Sequence, residues 1–327
     1  MSEASASMAR MDAIDWLLDA DPAIRWQVAR DLLDAPDDEV AAERARAATE
    51  GWGAELLARQ ADDGYWGGHE YGEEGARNSV MWTLQILRNF GIDPADPRVA
   101  GAIDRVRDGV TWREFDDRPY FSGEEEACVN GGVLANAAYF GQLGAGSSEI
   151  VRRLFDEQRA DGGWNCEPDS DRSSIDTTMC VLEGLLAYER AIEAGDDGAD
   201  PALLDTVRDA RRRGEEYLLA RQLYRRRSTG EVVKQRYLEL SFPTYWWYDV
   251  LRALDYFRAT GASADPRLAD PLDLLRSQRL DDGRWPAGRP KRGHDAYEID
   301  VPEGEPSPWN TLRALRVLRW AETEHPE

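Results

Sequence analysis

The chain has 327 residues, 42% of them hydrophobic, and a formal net charge of −23 from 63 acidic against 40 basic residues. That is length for one large domain or two ordinary ones, with no apolar run near the roughly 20 residues that span a bilayer and no secretory leader pattern at the N-terminus, so the cytoplasm is the expected compartment. The acid excess argues against nucleic acid and anionic membranes as partners, and three cysteines (Cys128, Cys166 and Cys180) do not make a disulfide framework.

The predicted elements are almost all helical. Asp12–Leu18 and Ala23–Leu33 are short helices broken at Asp21-Pro22, where proline fits a helix start. Residues 38–60 form a third helix, rich in Ala, Glu and Arg. A Gly-rich loop carrying His69 follows, then a helix from Asn78 to Asn89 with Trp82 on it, ended by Gly91. Pro97–Trp112 is the next helix, and Arg113–Glu125 a polar link. Cys128–Phe140 is a helix whose Gly131, Gly132 and alanines allow close packing. Ser147–Gln158 leads through a tight turn to a helix beginning near Ser173 and Ser174, which are good N-caps. Gly195–Asp200 is a loop. Pro201–Gln222, the aromatic-rich Phe242–Phe257, Pro271–Gln278 and Trp309–Trp320 complete the helices, and Glu231–Leu240 is the one run that reads as a strand.

One block recurs. Gln60-Ala-Asp-Asp-Gly-Tyr-Trp66, Gln158-Arg-Ala-Asp-Gly-Gly-Trp164 and Gln278-Arg-Leu-Asp-Asp-Gly-Arg-Trp285 each end a charged helix, turn on glycine and lead through a loop to a more apolar helix. Gln60 and Gln158 stand 98 residues apart, twice a repeat of about 50, the period of a repeat fold. Apolar helices need cover on most sides, so the expectation is an α/α toroid: an all-α ring with charged helices outside and apolar helices inside. An open solenoid would leave its inner row exposed at the ends. The expected division is N-terminal helices over residues 1–49 and the toroid over 50–327.

These blocks resemble the QW repeats of squalene–hopene cyclases and the related repeats of protein prenyltransferase β subunits. The resemblance covers about residues 50–322 and implies an α/α toroid with a central cavity for an isoprenoid-type substrate. Short single-toroid bacterial proteins of the prenyltransferase/squalene-oxidase-repeat kind look most similar. In the cyclases a DxDD motif donates the initiating proton. Here Ser173-Ser174-Ile175-Asp176-Thr177 stands at that place, and aliphatic Ile175 cannot act as an acid. That disfavours a proton-initiated cyclase. In the prenyltransferases an Asp-x-Cys and a His-Thr hold zinc. Glu126-Ala127-Cys128 and Asp176-Thr177 match those pairs, with Glu for Asp and Asp for His. The resemblance thus implies a zinc site of Glu126, Cys128 and Asp176, with Cys166 as a further ligand, all legitimate donors. Asp176 and Cys128 are the catalytic candidates, with His69 as a base or extra ligand. The bland alternatives are that Cys128 and Cys180 are small buried hydrophobes, that Asp176 caps a helix start, and that His69 is a solvated loop residue.

The repeat tryptophans Trp66, Trp164 and Trp285 read as structural braces. Trp82, Trp246, Trp247 and Trp309, on inner helices, are the candidates for lining a cavity, where they would hold an isoprenoid or steady a carbocation; core packing is their plain alternative. Arg225–Arg227 reads as a diphosphate site or a salt-bridging surface. Three functions stay open: metal-assisted prenyl or related group transfer to a hydrophobic substrate, proton-initiated cyclisation, and a non-enzymatic binding or scaffold toroid. No protein partner can be inferred.

Overall fold

The computed structural model describes residues 3–70, 79–289 and 298–323. Asn78, His294 and His325 lie outside the described residues. The class is all-α. In chain order the helices are α1 (Glu3–Leu18), α2 (Pro22–Asp31), α3 (Asp37–Arg46), α4 (Gly51–Ala58), α5 (Val80–Asn89), α6 (Pro97–Gly109), α7 (Ala127–Tyr139), α8 (Ala145–Asp156), α9 (Ile175–Glu193), α10 (Leu204–Leu219), α11 (Val250–Ala259), α12 (Ala269–Ser277) and α13 (Pro308–Thr323). Among the described residues the only named strands are the two-residue pair Thr111–Trp112 and Arg118–Pro119, which is antiparallel.

Burial divides the helices. Val80 to Leu87 of α5 are all buried, as are Val250 to Leu254 of α11 and most of α7 and α9. The intervening α6, α8, α10 and α12 bury one face and expose a charged one. Helices α7 and α9 pack backbone against backbone. A Cβ on Gly131 would stand 2.4 Å from the Cys180 carbonyl oxygen, and one on Gly184 would stand 2.5 Å from that of Gly131. Only a residue without Cβ lets two helix backbones approach this far.

The three Gln/Trp blocks share one geometry. Gly64, Gly162 and Gly283 take φ of 89°, 97° and 87°. Each indole is fully buried and donates back to the carbonyl ten residues earlier, near the end of the preceding helix: Trp66 to Leu56 at 2.7 Å, Trp164 to Leu154 at 2.6 Å, Trp285 to Leu275 at 2.8 Å. These carbonyls lie in the last turn of the helix, where at most a weak i→i+3 bond competes: Arg59 N–H to Leu56 at 3.2 Å and Gln278 N–H to Leu275 at 3.3 Å. The glutamines reach sideways: Gln60 donates to Ala102 of α6 and Gln158 to Ala210 of α10. The backbone N–H groups of Trp164 and Trp285 donate to Thr178 of α9 and Thr311 of α13. The second and third corners therefore fasten α8 to α9 and α12 to α13, and the first ties α4 to α6.

Three sequence expectations are corrected. Residues 38–60 are two helices, because Gly51 takes φ of 61° and breaks the run. Glu231–Leu240 is not a strand; Val232 makes only an isolated bridge with Arg225, and Gln235–Leu238 is a 3₁₀ turn. The aromatic run Phe242–Phe257 is helical only from Val250. Pro243 lacks an N–H, Tyr245 takes φ of 52°, and Asp249 caps the helix by accepting from the Arg252 N–H at 2.8 Å.

Candidate functional site

The N-terminal ends of α7 and α9 bring together Glu126, Cys128 and Cys166, whose ligand atoms lie within 4.8 Å of one another. The two sulfurs are 2.6 Å apart, and Cys128 Sγ is 3.6 Å from Glu126 Oε2. Cys166 reaches the group from the loop after Trp164. It accepts from the Cys128 backbone N–H at 3.4 Å and from the Thr177 hydroxyl at 3.5 Å. Hydrogen bonds from Cys128, then from Thr177, lower the Cys166 pKa, while its neighbour Cys166 and burial push the Cys128 thiol up. Two thiols and a carboxylate are a donor set that suits zinc and leaves a fourth position of a tetrahedron open.

Asp176 does not join them. Its carboxylate accepts from Lys234 at 2.8 Å, Tyr237 at 2.6 Å, Arg236 at 3.0 Å and the Tyr248 N–H at 3.2 Å. Burial works against its charge, but Lys234, Tyr237 and Arg236 outweigh it and hold the carboxyl below the usual range. Those partners come from the segment expected to be a strand. Asp176 thus ties this segment to the start of α9, and its carboxylate is not among the grouped ligand atoms of Glu126, Cys128 and Cys166. His69 is also outside the cluster; its carbonyl accepts from the Val80 N–H. Arg225 pairs with Asp270 at 3.0 Å, the salt-bridging reading of that basic run. Cys180 is buried, and burial pushes its thiol up to about 12.

The segment 241–249 enters the middle of the helices. Arg252 donates to the Tyr245 and Trp247 carbonyls at 2.9 and 2.7 Å, Gln85 to that of Tyr245 at 3.0 Å, and the Cys180 thiol to that of Trp246 at 3.6 Å. Trp82 packs against Tyr245, Trp246 and Trp247, with centroids 4.5, 4.3 and 6.4 Å away. So three of the four expected substrate residues, Trp82, Trp246 and Trp247, pack on one another.

A cavity of about 620 Å³ opens at the other end, between the C-terminal parts of α5, α7, α9 and α11 and the side of α13, closed by α2 and Arg44 of α3. Trp309 lines it; Trp82, Trp246 and Trp247 do not. Trp309 stacks on Phe242 at 4.1 Å and Phe90 at 5.3 Å, and its indole donates to Ile299. Trp26 and Phe242 add apolar wall. Cys128 and Tyr139 are eleven residues apart on α7, so cluster and cavity stand about 16 Å apart along the helix.

The sequence reading missed the arginines that face this cavity. Arg88 and Arg258 stand in the last turns of α5 and α11. That recurrence was the available signal, but a cation in a last turn also suits an ordinary helix end. Glu124 was missed too. It is 2% exposed, and burial pushes its carboxyl up to about 7 although the Glu125 and Glu126 N–H groups both donate to it.

No family model and no curated protein matches the chain. Among solved structures it is similar to a protein from Actinoplanes, at 17% identity and a TM-score of 0.46 over 97% of this chain and 99% of that one. It is also similar to the type II terpene cyclase MstE from Scytonema, at 14% identity and 0.46 over 99% and 100%. A variant of that cyclase in complex with its substrate geranylgeranyl dihydroxybenzoate matches at 15% and 0.46, over 98% and 99%. At this level the likeness assigns no reaction.

Proposed function

We propose that the chain is a single α/α toroid of the squalene-cyclase and prenyltransferase kind, and that it takes a hydrophobic, isoprenoid-type small molecule into the cavity between its inner helices. The observation that carries this reading is the cavity itself. Five apolar helices that follow charged ones, α5, α7, α9, α11 and α13, all contribute to one hollow, as an inner ring would. Its volume falls in the usual range for small-molecule sites, and Trp26, Phe242 and Trp309 give it aromatic walls.

Titration of the purified protein with a prenyl alcohol, followed by tryptophan fluorescence, tests it. Saturable quenching is expected, weakened about tenfold in Trp309→Leu, since the indole packs directly on the cavity wall. No response up to the solubility limit, or equal affinity in the variant, overturns the reading.

Metal-assisted group transfer is the enzymatic form of the proposal. Glu126, Cys128 and Cys166 would hold a zinc ion. Bound zinc supplies a Lewis acid that keeps a coordinated thiol deprotonated. Metal analysis should find about one zinc per chain, lost in Cys128→Ala. Proton-initiated cyclisation is disfavoured by Ile175 and by the ion-paired state of Asp176.

A second reading, a binding or scaffold toroid without a reaction, is favoured by one observation. Trp82, Tyr245, Trp246 and Trp247 fill the space beside the N-terminal ends of the helices with the protein's own side chains. The ligand would have to pass this aromatic segment to reach the thiols. A protein that binds prenyl compounds but carries no metal would support this second reading.

A further inference from the structure

In a chain of net charge −23, the cavity is positive. Eight arginines line it, against Glu183, Asp196 and Asp255. Asp31, just outside, pairs with Arg30 at 2.6 Å and Arg316 at 3.5 Å. The remaining ion pairs are shared thinly. Asp255 serves Arg258 at 2.8 Å, Arg313 at 3.9 Å and also Arg316. Glu183 accepts two 2.8 Å bonds from Arg252, and Arg88 is left 3.9 Å from it. Asp196 accepts from the Gly198 N–H.

Four of the arginines donate to backbone carbonyls: Arg252 to Tyr245 and Trp247, Arg313 to Ser241, and two more at helix ends. Arg44 donates to Gly91 and Ile92, which follow α5, and to the Tyr139 hydroxyl. Arg190 donates to Ala259 at the end of α11. Such bonds complete helix ends but supply only partial charge. The C-terminal ends of α5, α7, α9 and α11 face the cavity, each equivalent to about half a negative charge. Arg313 is also 3.9 Å from the buried Asp249. Counting the four helix ends with the five carboxylates Asp31, Glu183, Asp196, Asp249 and Asp255 still leaves the cavity positive by about one charge.

Arg88 concentrates the imbalance. Its side chain is 16% exposed, and its Nε is buried with no hydrogen-bond partner among the described residues. A guanidinium out of water needs a paired anion or a full set of acceptors. Desolvation, aided by the charge of Arg252, lowers its pKa, as expected of a cation short of compensation.

We infer that the cavity binds an amphiphilic oxyanion: the phosphate-type or carboxylate headgroup of an apolar compound, held by Arg88 and its neighbouring arginines while Trp26, Phe242 and Trp309 cover the apolar part. Arginine suits such a group because its planar fork meets two oxyanion oxygens at once. The inference rests on the ligand-binding reading above and adds the charge of the headgroup to it.

The test titrates the whole protein with four probes, farnesyl phosphate, farnesol, hexadecanoate and inorganic pyrophosphate, followed by tryptophan fluorescence. Farnesyl phosphate should bind at least about tenfold tighter than farnesol, with the advantage shrinking as salt rises from about 0.05 to about 0.3 M. Arg88→Met should erase most of that advantage, weakening farnesyl phosphate far more than farnesol. Thermal unfolding should show the variant no less stable than the parent, because it removes a poorly compensated buried charge. Arg190→Gln, at the exposed rim, provides a second variant and should show a smaller loss in the same direction. Hexadecanoate binding tightly, with the same sensitivity to Arg88→Met, upholds the oxyanion site. If both farnesyl compounds then fail to bind, the isoprenoid reading falls by itself. Farnesol binding as tightly as farnesyl phosphate overturns the oxyanion site and leaves the isoprenoid reading standing. Two variants that keep the parent's preference for phosphate over alcohol also overturn the site, as does pyrophosphate binding with no farnesyl or hexadecanoate binding.

Discussion

Substituting Gly131 by alanine sets two helix effects against each other. Gly131 is interior to α7, so alanine gains about 1 kcal/mol of helix propensity. The new methyl would stand 2.4 Å from the Cys180 carbonyl oxygen, 2.6 Å from its carbon and 2.7 Å from the Val181 nitrogen, where ordinary contact begins at 3.4 Å. All three atoms belong to the backbone of α9, so no side chain can rotate away. The helices must separate by up to about 1 Å, which weakens dispersion contacts along the pair. Overpacking in a core costs about 1–3 kcal/mol, and rigid backbone places this site at the upper end. The net expectation is destabilisation by about 2 kcal/mol. Gly101→Ala in α6 isolates the propensity effect, because the nearest atom to its methyl is the Arg105 Nη1 at 4.0 Å. That variant should be stabilised by up to about 1 kcal/mol. Urea denaturation of both variants beside the parent measures the pair. If both shift the midpoint in the same direction, the direct contact of α7 and α9 is wrong.

Trp164→Phe should cost about 2–4 kcal/mol by the same assay, since it strands the Leu154 carbonyl at the end of α8 and empties part of a fully buried site; a loss below about 1 kcal/mol would refute the corner's role in fastening helix pairs. Glu124 predicts a pH dependence. Its folded pKa of about 7 lies above the ordinary 4.5, so folding disfavours its charge: the cost is absent below about 4.5, grows through that interval and is complete above about 7. Glu124→Gln should flatten this part of the stability–pH curve and stabilise the protein at pH 8 by roughly 1–3 kcal/mol. Parallel curves for parent and variant between pH 4.5 and 7 would show that Glu124 does not contribute the slope. Zinc content follows Cys128 and Cys166 in this scheme, so Asp176→Asn should leave any bound zinc in place while loosening the Lys234–Tyr237 segment, detected as faster proteolysis there.

Helix pairs and their corners were legible in the chain because their determinants are local. A positive-φ glycine, an indole bonding ten residues back and a glutamine closing the turn need only the neighbouring helix. The apolar spacing of the α5 and α9 segments likewise announced burial. The resemblance to the prenyltransferase Asp-x-Cys pair pointed to Glu126 and Cys128, and Cys166 was flagged from its place just past a corner; the structure brings the three together.

What only the tertiary structure decided is which charged and aromatic groups meet from distant segments. The resemblance makes Asp176 a ligand, but its carboxylate accepts from Lys234, Arg236 and Tyr237, some sixty residues on, and from the Tyr248 N–H. Trp246 and Trp247 were assigned to a helix and a cavity wall, but three arginine and glutamine bonds hold their segment as a loop packed on Trp82. Arg316 finds Gln27 and Asp31 at the opposite end of the chain. A single arginine in sequence is a solubilising cation or a helix-end partner. It becomes part of an anion-seeking cavity only when several helices aim their arginines at one space and too few carboxylates accompany them.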